Sequence, residues 1–117
     1  MKYIKKFEKF ENILKIGDYV LAISKANDVI FTSYINNSIG EVIKITPVYS
    51  KNEGNKYKVY DDIDIRYYGV PKSEIDLFTK EKKHNSYKIK FPSYMIYKFS
   101  ENKEELEIEI NANKFNV

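Results

Sequence analysis

The residues able to do chemistry are few, and their spacing assembles no familiar reaction centre. His84 is the sole histidine, so a histidine-based triad or a multi-histidine metal site has one candidate member. It sits in KEKKHNS, a lysine-rich stretch in which spacing names no orienting carboxylate; a solvated turn is the plainer reading. Asp61, Asp62 and Asp64 offer the hard oxygens that Mg²⁺ or Ca²⁺ prefer. Yet DDIDI lacks the glycine-centred loop and distal glutamate of an EF-hand. On a strand Asp62 and Asp64 would share one face and Asp61 take the other, so a charged turn is expected. The four glycines stand singly at 17, 40, 54 and 69, which leaves no phosphate cradle. With no cysteine, disulfides, thiolate metal sites and cysteine nucleophiles are excluded. The expectation is a protein that is not an enzyme and needs no metal or cofactor.

Binding chemistry is better represented. Residues 80–98 hold six lysines against one glutamate, interleaved with Tyr87, Phe91, Tyr94 and Tyr97. Lysines engage phosphates while aromatic faces stack on bases, which makes Lys80, Lys82, Lys83, Tyr87, Lys88 and Lys90 a candidate nucleic-acid surface. Three features oppose it. The net charge is only +3, Arg66 is the only arginine, and residues 101–109 carry five glutamates that would repel the same backbone if they lay nearby. Alternation also sends Tyr87, Ile89 and Phe91 to one side, with the lysines on the other. A protein partner is the leading reading. Eleven tyrosines are more than a small core uses, because each phenol oxygen wants a hydrogen bond, and tyrosine is favoured at interfaces. Arg66, Tyr67 and Tyr68, in RYYG, form the expected contact point, against the plainer reading that the two tyrosines straddle a sheet.

A chain of 117 residues is expected to form a single domain over 1–117 with enough buried surface to need no staple. Lys, Asn, Ile and Tyr supply 57 residues; all four have AT-rich codons, so part of the basic pI reflects codon usage. The first residues show no secretory pattern, and no apolar run reaches about 18 residues. A cytoplasmic protein that does not span a membrane is expected, its oligomeric state left open.

Tyr3, Phe7, Phe10 and Leu14 recur at helical spacing, which predicts a short amphipathic helix over 1–14. GDYVLAIS reads as an inner strand. KANDVIFTSYINN reads as a loop with one helical turn, and SIGEVIKIT as a strand that Pro47 ends. VYSKNEGNKYKVY reads as a hairpin turning at Lys51 to Asn55, with Gly54 at positive φ. Asp61 to Asp64 then interrupt before the strand DIRYYGV. VPKSEIDLF and FPSYMIYKF each place Pro and Ser ahead of an apolar strand. Residues 100–117 carry both a strand-like alternation and helix-start signals, Ser100 with Glu101 and Glu104; the capping signals favour helix.

KIGDYVLAIS, SIGEVIKIT, YKVY and VPKSEIDLF, over roughly residues 15–79, together resemble small SH3-like barrels of the Tudor and KOW kind. Gly17, Asp18, Gly40, Val42, Pro71 and Ser73 carry the likeness. Gly17 and Gly40 would permit barrel corners, and Asp18 would close one by bonding nearby backbone. No methyl-reading aromatic cage can be placed, and residues 79–99 exceed a minimal barrel. The whole chain is also similar to small proteins of tailed phages and AT-rich bacteria, through MKYIKKFE, KIGDYV and SENKEELE. That likeness implies an accessory protein acting in the host cytoplasm, and an inhibitor of a host enzyme or defence complex would suit a protein this small. The expectation is therefore a mainly β, α+β domain: an SH3-like small barrel over 15–99 with insertions, flanked by N-terminal and C-terminal helices.

Overall fold

The computed structural model describes residues 13–115. The helix expected over 1–14 lies outside them, except for its last two residues. Six strands form one antiparallel sheet in the order β4-β5-β3-β2-β1-β6. They are β1 (Tyr19–Ala22), β2 (Ile39–Asn52), β3 (Asn55–Tyr67), β4 (Thr79–Glu81), β5 (Ser86–Pro92) and β6 (Ile96–Ser100). Helix α1 (Val29–Asn36) follows β1, and α2 (Lys103–Phe115) closes the described chain. The domain is mainly β, as composition implied. The sheet is open, however: β4 and β6 are its two edges and do not pair with each other, so the closure that a barrel requires is not formed.

Backbone chemistry explains where β1 begins. The Asp18 carboxylate accepts from the Lys15 N–H at 2.8 Å, and the Asp18 N–H donates to the Lys15 carbonyl at 3.0 Å. Gly17 completes this turn at φ +96°, and its N–H reaches the Val42 carbonyl at 2.8 Å. Gly40 works differently from the corner expected of it. It lies in β2, facing β3, and a Cβ there would collide with Ile65 Cγ2 and stand 2.9 Å from the Tyr67 ring. The missing side chain is what lets Ile65 and Tyr67 cross over β2.

Four sequence readings change. Residues 25–37 hold two turns of helix, Val29–Asn36, where a loop with one helical turn was expected. Asp28 caps α1, its Oδ1 accepting from the Phe31 N–H at 3.0 Å, and Phe31 and Ile35, one turn apart, are buried. Burial of that stripe outweighs the weak helix propensity of Val, Ile and Thr. Pro47 does not end β2. It stands opposite Asp61, whose N–H turns away to the Ser93 hydroxyl at 3.1 Å. Because β1 pairs β2 only at residues 39–41, the other side of Pro47 faces no described strand, and a proline is tolerated at such an edge. Asp61 to Asp64 do not interrupt β3 either, since their side chains simply alternate along it. Finally, the strand expected in VPKSEIDLF is a 3₁₀ helix, Lys72–Leu77. The 101–112 ambiguity resolves to helix.

The core lies on one face of the sheet. Val20, Ala22, Val42, Ile63, Ile65, Tyr67 and Phe91 meet Phe31 and Ile35 from α1 and Phe78 from beyond the 3₁₀ helix. Phe78 stacks at 5.9 Å from Phe31, 6.3 Å from Tyr34 and 6.2 Å from Tyr67. The two edge-on pairs, with Tyr34 and Tyr67, each add about 0.5–1.5 kcal/mol beyond area burial. Glu74 is buried beside α1; a hydrogen bond shared with Asp28 holds its carboxyl above the usual range and that of Asp28 below it. On the opposite face α2 packs on β6, β1 and β2, with Leu106 fully buried.

Gly40→Ala tests the close crossing. Overpacking against Ile65 and Tyr67 should lower stability by about 1–3 kcal/mol in urea unfolding. An unchanged midpoint would show that the crossing has room to spare.

Candidate interaction surfaces

The three residues expected to form one contact point do not converge. Tyr67 is 0% exposed in the core, which removes it as a contact residue: β3 alternation drives Ile63, Ile65 and Tyr67 to one side. Arg66 points to the other face and is tied down there. Its Nε donates to Glu81 Oε1 at 2.8 Å and its Nη2 to Glu81 Oε2 at 3.1 Å, while Glu41 lies at 3.5 Å. Tyr68 alone is open, at 58% exposure, in the bend after β3, where its carbonyl accepts from the Tyr34 hydroxyl at 2.6 Å. The plainer reading, two tyrosines straddling the sheet end, describes the geometry.

One exposed feature is recorded by sequence reasoning only as a hairpin. β3 meets β5 only from Asp62 onward and β2 meets β1 only at residues 39–41. Among the described residues, 48–60 therefore pair only with each other. They form a two-stranded arm of roughly 17 Å at about 3.4 Å per residue. Its tip is a two-residue turn in which Glu53 (φ 52°) and Gly54 (φ 83°) both take positive φ, as the twist of a tight hairpin requires. Tyr49, Tyr57 and Val59 stand about half exposed along it. Register puts Tyr49, Lys51, Lys56 and Lys58 on one face, with Lys56 Nζ 4.4 Å above the Tyr49 ring.

The arm's base continues into a second aromatic surface. Tyr60 packs edge-on against Tyr94 at 5.5 Å, and the Ser93 hydroxyl bonds Asp61 as described. Beyond Tyr94, which is 75% exposed, opens a shallow depression of about 630 Å³ lined by Ile23, Lys25, Tyr94, Met95, Ile96 and Tyr97. The Ile23 N–H bonds the Met95 carbonyl at 2.9 Å, fixing the floor. Sequence placed Tyr94 and Tyr97 in the basic segment; the fold sets Tyr94 beside Tyr60 and Tyr97 on the edge strand β6, at the opposite edge of the sheet from β4 and its lysine turn.

That turn joins β4 to β5. Lys80, Lys82, Lys83, His84 and Lys88 line one depression of about 340 Å³ together with Arg66 and Glu81. Lys80 donates to Asn85 Oδ1 at 2.9 Å and lies 5.0 Å above the Tyr87 ring. Tyr87 is half-buried against the core, covered by that lysine instead of free to stack. Lys90 stands apart, opposite Asp64 on β3. His84 is far along the sheet from Asp61 to Asp64, and among the described residues no three His, Asp or Glu side chains gather as a metal site. No described helix is long and apolar enough to cross a membrane.

Comparison with known proteins adds no assignment: no family model, no curated protein and no solved structure matches the chain.

Two predictions follow from the RYYG residues. The Tyr67 hydroxyl is buried with no partner among the described residues, and burial pushes the phenol well above its ordinary pKa. A lone buried hydroxyl costs about 1–3 kcal/mol, so Tyr67→Phe should raise the thermal midpoint by a few degrees; a fall would mean that the oxygen is partnered. Arg66, aided by the Ser86 hydroxyl at 2.7 Å, holds the Glu81 carboxyl down to about 2 against the opposing effect of burial. The folded pKa lies below the ordinary 4.5, so this stabilisation is complete above pH 4.5 and is lost as pH falls toward 2. It amounts to about 3 kcal/mol at most. Glu81→Gln should flatten the stability profile across that window, and an unaltered slope would remove Glu81 as its source.

Proposed function

We propose that the protein is a non-catalytic binding module whose partner is another protein, gripped by the β2–β3 arm and the tyrosine-rich depression at its base. One observation carries this reading. Among the described residues, 48–59 hold strand pairing with no third strand beside them, and only Tyr60 at the base is packed, against Tyr94; a lone two-stranded ribbon is marginal on its own. Neither backbone edge of the arm pairs with another described strand, which suits β-strand addition by a partner. Tyr94, Tyr97 and Ile23 at its base offer the large, low-entropy contact area from which interface hot spots are built.

Within this reading the chain is an accessory protein of a phage or mobile element, acting in the cytoplasm of the host on an enzyme or defence complex; the likeness of its termini and of KIGDYV to small phage proteins supports that. The finer fold is an opened variant of an SH3-like barrel. The β1-β2-β3 meander, the Gly17–Asp18 corner and the 3₁₀ helix before β4 support it, while the pairing of β4 with β5 departs from closure.

The test compares capture from bacterial lysate by the wild type, by Tyr94→Ala/Tyr97→Ala and by Lys82→Glu/Lys83→Glu. A partner held by the wild type should lose at least tenfold in affinity to the double-tyrosine variant, on the scale of one hot spot, and be retained by the lysine variant. The reading fails if nothing is retained, or if removing both tyrosines leaves retention intact.

A further inference from the structure

We infer that the β4–β5 hairpin is a second and separate binding surface, taking the phosphodiester backbone of nucleic acid. The site is the depression ringed by Lys80, Lys82, Lys83 and Lys88, and it is independent of the arm and of the partner proposed for it.

Charge placement is the first support. The five glutamates of residues 101–109 would cancel these lysines if they were neighbours. Instead α2 lies on β6, β1 and β2, whereas β4 and β5 form the opposite edge of the sheet. Folding thus separates the acidic and basic segments that are adjacent in sequence. The separation is one of strands and depressions: Glu107 of α2 lines the depression that holds Tyr68, not the one lined by Lys80, Lys82, Lys83 and Lys88.

The second support is what happens to the negative groups that do face the site. Glu81 is gripped by both nitrogens of the Arg66 fork and by Ser86, so it is already neutralised. Glu41 leans on the same guanidinium. Asp64 stands across from Lys90 and Lys44, neither of which lines the depression. None of these carboxylates is left to pair with Lys82, Lys83 or Lys88, and no ion pair involves these three among the described residues.

Third, the lysines are held together. They hang from a short turn, residues 82–85, closed by Asn85 at φ 47°, with Lys80 pinned by Asn85 and the Tyr87 ring. Crowding like charges on a constrained turn is unfavourable in the free protein and is relieved by a polyanion, not by a single carboxylate. Because Tyr87 is covered and half-buried, no aromatic face is offered to bases. The contact is with phosphates, and it reads no sequence.

The experiment is fluorescence anisotropy with a labelled 20-residue oligo-dT and, in a second arm, a 20-base-pair duplex, on the full chain. Three to four lysine–phosphate contacts with a slope of about −0.7 per contact imply a 20- to 50-fold loss of oligo-dT affinity between 50 and 200 mM salt. Lys82→Glu/Lys83→Glu/Lys88→Glu should abolish binding, while Tyr94→Ala/Tyr97→Ala should leave it unchanged, and circular dichroism confirms that each variant is folded. Tighter binding of either nucleic acid supports the inference and identifies its preferred form. Absence of binding to both at 50 mM salt, salt-insensitive binding, or undiminished binding by the folded triple-lysine variant overturns it. So does equal affinity for poly-glutamate of matched charge, which would make the surface a receptor for acidic protein.

Discussion

The rest of the molecule hangs on the strict alternation of side chains along the inner strand β3. From Ile63 to Tyr67 every second residue enters the core, and the intervening Asp64 and Arg66 face the other way. One strand therefore supplies the centre of the apolar layer and the anchor of the charged one. A register slip of a single residue would exchange the two sets, burying a guanidinium and exposing a tyrosine. Gly40 reinforces the register from the neighbouring strand, because only there does β2 leave room for both Ile65 and Tyr67.

This constraint explains why the chain's two distinctive surfaces lie at opposite ends of β3. Beyond its first pairing with β5, the strand runs out with β2 as the arm; at its other end Arg66 orders the hairpin that joins β4 and β5. A rigid central strand keeps the tyrosine-rich and lysine-rich regions apart. Each is free to meet a different chemistry, and neither needs a reaction centre. The proposed roles follow from that separation more than from any single residue.

Much of this was legible from local chemistry alone. Gly54 marked the turn, Lys-x-Gly-Asp marked the start of β1, and the capping residues after Ser100 outweighed an alternation that mimics a strand. What escaped was decided by distant partners. Nothing near Val29 says that Phe31 and Ile35 will find Phe78 and Phe91, which is what turns a polar-looking connection into a helix. Pro47 misled because its cost depends on whether a third strand runs alongside, a fact about topology. Arg66, Tyr67 and Tyr68 looked like a cluster because neighbours in sequence are close, yet on a strand they are sent to opposite sides. The arm was visible as a hairpin, but its isolation emerged only once the limits of β1 and β5 were known.

Two backbone edges left unpaired among the described residues create a standing hazard, since a second copy of the same ribbon would be an ideal template for it. The arm carries its own protection. Lys51 and Lys56 face each other near the tip, Lys58 follows on the same side, and Pro47 withholds a donor near the base. Stacking two such ribbons edge to edge would bring their cationic rows together. The feature that leaves the arm open to a foreign chain thus also keeps it from polymerising with its own kind.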